Sequence, residues 1–120
     1  SKVEATVNAV KEQYPEKKLV ACLELHTFSS LNKEFIVFYR NTMQKADARI
    51  VYFNPHTLEL KKLPPLSKSE VQDYFNDGEM MVINNSEELL EVLKKLNIVN
   101  SNLLLMSSGN FDNLDLTILT

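Results

Sequence analysis

Two short stretches of this chain gather side chains that could do chemistry. The first is Glu24-Leu25-His26-Thr27-Phe28-Ser29-Ser30, which puts a carboxylate, an imidazole and three hydroxyls between an apolar run and a helix-starting signal. A carboxylate can accept from an ammonium or hydroxyl group, and backbone N–H groups at a helix start favour an anion. The second is Ser107-Ser108-Gly109-Asn110-Phe111-Asp112, polar and turn-forming, where Gly109 would let the backbone approach a ligand closely. The candidate binding residues are therefore Glu24, His26, Thr27, Ser29, Ser107, Ser108, Gly109 and Asn110. A plainer reading stands beside this one: Thr27 or Ser29 caps a helix, Glu24 and His26 are solvated next to it, and Gly109 makes a turn.

Other chemistries are excluded by what the residues lack. Ser107, His26 and Glu24 could be drawn as a catalytic triad, but the chain has no G-x-S-x-G nucleophile elbow, which argues against a hydrolase. Neither G-x-x-x-x-G-K-[ST] nor G-x-G-x-x-G occurs, so no local sequence predicts nucleotide binding. The single cysteine, Cys22, lies in an apolar run, can form no internal disulfide and reads as core; no zinc site can be built on it. His56 reads as a turn residue and Met80-Met81 as part of a strand.

Both polar stretches sit where strands are expected to end. Val3, Val7, Val10 and Tyr14 recur at helical spacing before Pro15, predicting a helix over residues 2 to 14. Leu19 to Leu23 is continuously apolar, as in a strand covered on both faces of a parallel sheet. Leu31, Phe35, Phe38 and Thr42 predict a second amphipathic helix behind the caps Thr27, Ser29 and Ser30. Residues 48 to 53 read as a strand closed by an Asn54-Pro55-His56-Thr57 turn. Ser67 with Glu70 forms a capping-box pattern ahead of Val71, Tyr74 and Phe75, and Asp77-Gly78 ends that helix. Met80 to Ile83 is a short strand; Asn85 with Glu88 repeats the box before Leu89, Leu93 and Leu96; Asn102 to Met106 is a fourth strand, followed by the polar turn and a short terminal segment. Strands alternating with helices predict an α/β class, Rossmann-like three-layer domain with a mostly parallel sheet. In such sheets ligands gather beyond the strand carboxyl ends, where both stretches fall.

With 120 residues, the chain is expected to form one domain over 1–120. Thirteen basic against sixteen acidic residues leave a net charge of −3 with no basic stripe, which argues against nucleic-acid binding. No apolar stretch approaches a bilayer span, so no membrane partner is expected, and the lone cysteine suits the cytoplasm. The sequence opens without Met and enters helical periodicity at once, suggesting a fragment of something longer.

Three stretches carry a resemblance: Ala5-Thr6-Val7-Asn8-Ala9-Val10-Lys11, Glu24 to Asn32, and Leu104 to Asp112. In their wording the chain resembles the C-terminal domain of the Mur ligases, and most nearly the UDP-N-acetylmuramate:L-alanyl-γ-D-glutamyl-meso-diaminopimelate ligases of peptidoglycan recycling. The resemblance implies a Rossmann-like domain whose partners are the N-terminal UDP-sugar and central ATP-binding domains of the same parent protein. It also implies a peptide or amino-acid substrate, and ATP with magnesium bound mainly outside this chain. The family's domain opens with a strand ahead of its first helix, so this chain, beginning at Ser1-Lys2, would lack that first strand and leave a sheet edge open to dimer formation. Glu24, His26 and Thr27, and Ser107 to Asn110, would fall in the two loops facing the active site, with no catalytic residue among them. Many relatives place an arginine where this sequence has Leu25-His26, and a neutral imidazole cannot replace a bidentate guanidinium. Ligation of the tripeptide, ligation of L-alanine and a stand-alone binding module all remain open at this stage.

Overall fold

The computed structural model describes residues 2–96 and 100–114. Its centre is a four-stranded, wholly parallel sheet in the order β3-β2-β1-β4. The strands are β1 (Lys18–Glu24), β2 (Ala48–Tyr52), β3 (Met81–Ile83) and β4 (Ser101–Met106). Helix α1 (Lys2–Gln13) precedes β1; α2 (Phe28–Leu31) and a 3-10 turn (Ile36–Tyr39) join β1 to β2. Helices α3 (Pro55–Leu60) and α4 (Lys68–Phe75) join β2 to β3, α5 (Ser86–Lys95) joins β3 to β4, and a second 3-10 turn covers Phe111–Asn113.

The continuous apolar run of β1 has the expected cause. Leu19, Ala21 and Leu23 enter one core with Val7, Leu31, Ile36, Val51, Val71 and Phe75. Val20 and Cys22 enter the other with Ile50, Tyr52, Ile83, Leu89, Leu93 and Phe111. A strand with helices on both faces has no solvent side, so period-two alternation disappears. α1 to α4 cover one face and α5 the other, which is the three-layer α/β fold expected from the sequence.

The connections also set the position of the site. From β1 the chain moves outward to β2 and then β3; α5 then carries it back past both, and β4 pairs with the free side of β1. The direction of winding thus reverses between β1 and β4, and in open parallel sheets the crevice at such a reversal is where ligands bind.

Local signals explain several elements and correct others. Ser67 Oγ accepts from Glu70 N at 3.1 Å while Glu70 Oε1 accepts from Ser67 N at 3.0 Å, completing the capping box of α4. At α5 only half of the second box forms: Asn85 Oδ1 accepts from the Glu87 and Glu88 amides, whereas the Glu88 carboxylate lies 3.7 Å from Lys68. The Asn54-Pro55 turn is instead the start of α3, with Asn54 as cap and Pro55 at the first turn, where a missing N–H costs nothing. Helix α4 ends on Asn76 in the left-handed region, φ 55°, rather than on Asp77-Gly78.

The long helix expected from Leu31 to Thr42 is not present. Asn32 turns extended after four helical residues, its Oδ1 accepts from Glu34 N at 2.9 Å, and the chain continues as a 3-10 turn. An Asx turn competes with helical hydrogen bonds, and here it prevails. Ile36 takes the core position, leaving Phe35 and Phe38 44% and 72% exposed. Val7 on α1 is fully buried, but Tyr14, just past the end of the helix, projects with 45% exposure rather than packing. Among the described residues no helix is long and apolar enough to cross a membrane. Most of the expected terminal segment, residues 115–120, lies outside the described residues.

Candidate functional site

Parallel pairing of β1 with β4 sets Leu23 beside Met106, so the loops that follow, from Glu24 and from Ser107, leave the sheet side by side. Glu24 closes β1 and is only 4% exposed. Its Oε1 accepts from Ser107 Oγ at 2.5 Å and from Phe111 N at 3.0 Å. Ser107 Oγ in turn accepts from Gly109 N at 2.7 Å. Among the described residues Glu24 Oε2 has no hydrogen-bond partner, and Glu24 lines a depression of about 280 Å³ with Lys2, Thr27, Tyr39, Ser107 and Ser108. Burying a carboxylate is costly unless donors meet it, so two donors on one oxygen and none on the other leave acceptor capacity for a ligand cation.

Gly109 is required by proximity. A Cβ at this position would lie 2.9 Å from Cγ and Cδ2 of His26 and 3.0 Å from Glu24 Oε1. His26, half-buried, therefore packs its ring on the Gly109 backbone and clamps the two loops together. Ser107 Oγ donates to Glu24 and not to the imidazole, so the three residues form no Ser-His-acid relay.

The remaining sequence-predicted residues divide. Thr27 is a helix cap, its Oγ1 accepting from Ser30 N at 3.1 Å, and it also lines the depression. Ser108 is exposed on the same wall. Ser29 is exposed and engages Asn32 N through its carbonyl. Asn110 caps the second 3-10 turn: its Oδ1 accepts from Asn113 N and its Nδ2 donates to Asn113 Oδ1 at 2.7 Å. His26, Ser29, Gly109 and Asn110 are not on the wall of the depression.

Three residues at this end of the sheet went unread in the sequence. Tyr52 closes β2 as the register partner of Glu24 and is 1% exposed. Its hydroxyl donates to Asp112 Oδ2, and its ring stacks on Phe111 at 6.4 Å between centroids. Burial first, then the hydrogen bond to Asp112, pushes the phenol pKa well above its usual value. A tyrosine as the last residue of a buried strand was the available signal, since a phenol there needs an acceptor. Lys2 and Tyr39 reach the depression only because α1 starts, and the first 3-10 turn ends, over the strand carboxyl ends.

Other candidates resolve as structure. Cys22 is buried and unpaired, its thiol pushed up to about 12 by burial and by the Glu24 charge. His56 donates its backbone N–H to Asn54 and its ring is exposed; Met80 is core. A larger depression of about 430 Å³ lies between Asn8, Lys11, Glu12 and Lys45, but Lys11 there is already bound to Asp47 at 2.7 Å. Among the described residues there is no group of three His, Cys, Asp or Glu that could hold a metal ion.

No family model matches the sequence, and no curated protein matches it. Among solved structures, the chain is similar to a domain from a Haemophilus ducreyi protein provisionally designated UDP-N-acetylmuramate:L-alanyl-γ-D-glutamyl-meso-diaminopimelate ligase. The TM-score is 0.59 and the identity 21%, over 98% of this chain and 81% of that one. At that identity the likeness is one of fold, and it agrees with the three-layer parallel architecture.

Proposed function

We propose that this chain is the C-terminal, amine-presenting domain of an ATP-dependent ligase that joins L-alanyl-γ-D-glutamyl-meso-diaminopimelate to UDP-N-acetylmuramate in peptidoglycan recycling. The observation that carries the reading is the buried Glu24 carboxylate at the β1/β4 switch point, with one oxygen held by two donors and the other unengaged. The fold likeness to a domain of a protein so designated supports it, as do the three stretches whose wording resembles that family.

On this reading ATP and magnesium would be bound in a central domain outside this chain and would supply the activation of the muramyl carboxylate to an acyl phosphate. The contribution of this domain is to bind and orient the incoming amine. Glu24 accepts from the ammonium of the peptide, while Lys2 on the same depression offers a cation to one of its carboxylates. Ser107 and Ser108 supply hydroxyls at the rim, and Gly109 lets His26 close the two loops against each other. Held in this way against the N-terminal UDP-sugar and central domains of the parent protein, the amino group, once its ammonium form has lost a proton to solvent on docking, would attack the activated carbonyl from a fixed position with phosphate as the leaving group, so the gain is one of proximity and exclusion of water. The need for ATP and a nucleotide-linked sugar places the reaction in the cytoplasm.

The test is ADP release by the parent protein given ATP, magnesium and UDP-N-acetylmuramate with either the tripeptide or L-alanine. Turnover with the tripeptide is expected. Turnover with L-alanine alone would move the domain to a biosynthetic ligase, and none with either would overturn the ligase reading and leave only the fold. Replacing Glu24 by Gln is expected to raise KM for the amine by roughly ten- to a hundredfold, the worth of one hydrogen bond to a charged group, and to leave KM for ATP unchanged.

A further inference from the structure

Tyr52 is not on the wall of the depression, yet it is joined to Glu24 through the loop that follows β4. Its phenol is buried, and Asp112 supplies the carboxylate that accepts from it. Asn54 Nδ2 also donates to Asp112 Oδ2, at 3.3 Å. Next to Asp112, the Phe111 ring is 5% exposed and stacked on Tyr52, while the Phe111 N–H donates to Glu24 Oε1. Phe111, Asp112 and Asn113 have φ of 54°, 56° and 60°, three consecutive non-glycine residues in the left-handed region. L-residues avoid that region, and a bulky one such as Phe stays there only when tertiary contacts impose it. The contacts in place are the Tyr52 hydroxyl and ring, Asn54, and the Asn110–Asn113 pair.

We infer that Tyr52 and Asp112 are a positioning pair: they hold the loop after β4 in its left-handed turn and so keep the Phe111 N–H and Ser107 hydroxyl on Glu24 Oε1, leaving Oε2 to the ligand. The consequence for ligand binding rests on the amine-binding reading above; the pinning of the loop does not. Tyr52 acts through Asp112 and Phe111 and touches no reacting atom.

The experiment measures two quantities on the chain and its variants: amide exchange of Phe111 relative to the central-strand amides of Cys22 and Ile50, and affinity for L-alanyl-γ-D-glutamyl-meso-diaminopimelate by titration. Tyr52→Phe keeps the ring stack and removes the hydroxyl. It is expected to lower Phe111 protection by about tenfold or more against the strand amides, and to weaken the tripeptide by a similar factor, the usual worth of a hydrogen bond to a charged group. Asp112→Ala strands the buried phenol, so adding Tyr52→Phe to it should recover part of the loss, a non-additivity that two independent residues would not show. Unchanged Phe111 protection in Tyr52→Phe, or a drop shared equally by Cys22 and Ile50, overturns the pin. Loss of protection with unchanged tripeptide affinity overturns the positioning role. If the unsubstituted chain binds no tripeptide, the amine reading and its consequence here fail together, and Phe111 exchange alone decides the pin.

Discussion

Replacing Gly109 by Ala sets two effects of opposite sign against each other. No glycine among the described residues occupies the left-handed region, so an alanine here meets no backbone strain. Taken alone, the change would stabilise the fold by about 0.4–1 kcal/mol by restricting the unfolded chain. Against that, the new Cβ would stand 2.9 Å from two ring carbons of His26 and 3.0 Å from Glu24 Oε1, where ordinary contacts begin near 3.4 Å. Overpacking of this kind costs about 1–3 kcal/mol. His26 is half-buried and can yield by rotating, but Glu24 Oε1 is tied to Ser107 and Phe111 and cannot move without loosening both. The steric effect should therefore win, with a net loss of about 1–2 kcal/mol, or roughly 3–8 °C in Tm for a 120-residue chain. Thermal unfolding followed by circular dichroism measures it, with His26→Ala and the double variant as controls. If the imidazole is the main obstacle, the cost of Gly109→Ala in the His26→Ala background falls to about zero or changes sign. If it persists, the Glu24 contact dominates. A single variant with a Tm equal to or above that of the parent chain would refute the close packing of the two loops.

Four further expectations concern the scaffold. Ser67→Ala removes the hydroxyl half of the α4 capping box and should cost about 0.5–2 kcal/mol in urea unfolding, with no change in slope. The Asp47 carboxyl is held below its usual value, first by the Lys11 ammonium and then by the Leu19 amide. Its contribution is therefore present above the ordinary carboxylate range and lost as pH falls through the depressed native value; stability curves of Asp47→Asn and the parent chain should converge at acid pH and separate above it. The Cys22 thiol, raised from 9.0 to about 12, ionises in the unfolded chain before the folded one. Stability should thus be insensitive to this group below pH 9.0 and decline from there toward 12, by up to about 1.4 kcal/mol per pH unit, with the decline reduced in Cys22→Ala. Native Cys22 should also resist thiol reagents at pH 8, since the thiolate is the nucleophile and the group is buried.

What was legible in advance was local. Continuous burial of β1 appeared as an apolar run because both faces are covered, and Ser67 with Glu70 announced α4 because a capping box closes within one turn. The segment after Leu31 misled because Phe35 and Phe38 repeat at helical spacing while Asn32, three residues earlier, diverts the backbone; periodicity weighs every position equally and cannot see that one side chain ends the helix. Asn54-Pro55 misled in the opposite direction, since the residues that make a turn also cap a helix.

The sequence by itself determined the four strands, the helices α1, α4 and α5, their alternation, and hence a parallel sheet with both faces covered. It also placed the Glu24 and Ser107 loops at strand carboxyl ends. The order of the strands was decided only in three dimensions, and with it the site: pairing of β1 with β4 joins Ser107 to Glu24 across 83 residues of chain. The same is true of Tyr52 and Asp112, 60 residues apart, whose meeting depends on α5 carrying β4 back across the sheet. Backbone propensity and capping act over a few residues, whereas a buried carboxylate or phenol is satisfied by whatever the completed fold places next to it.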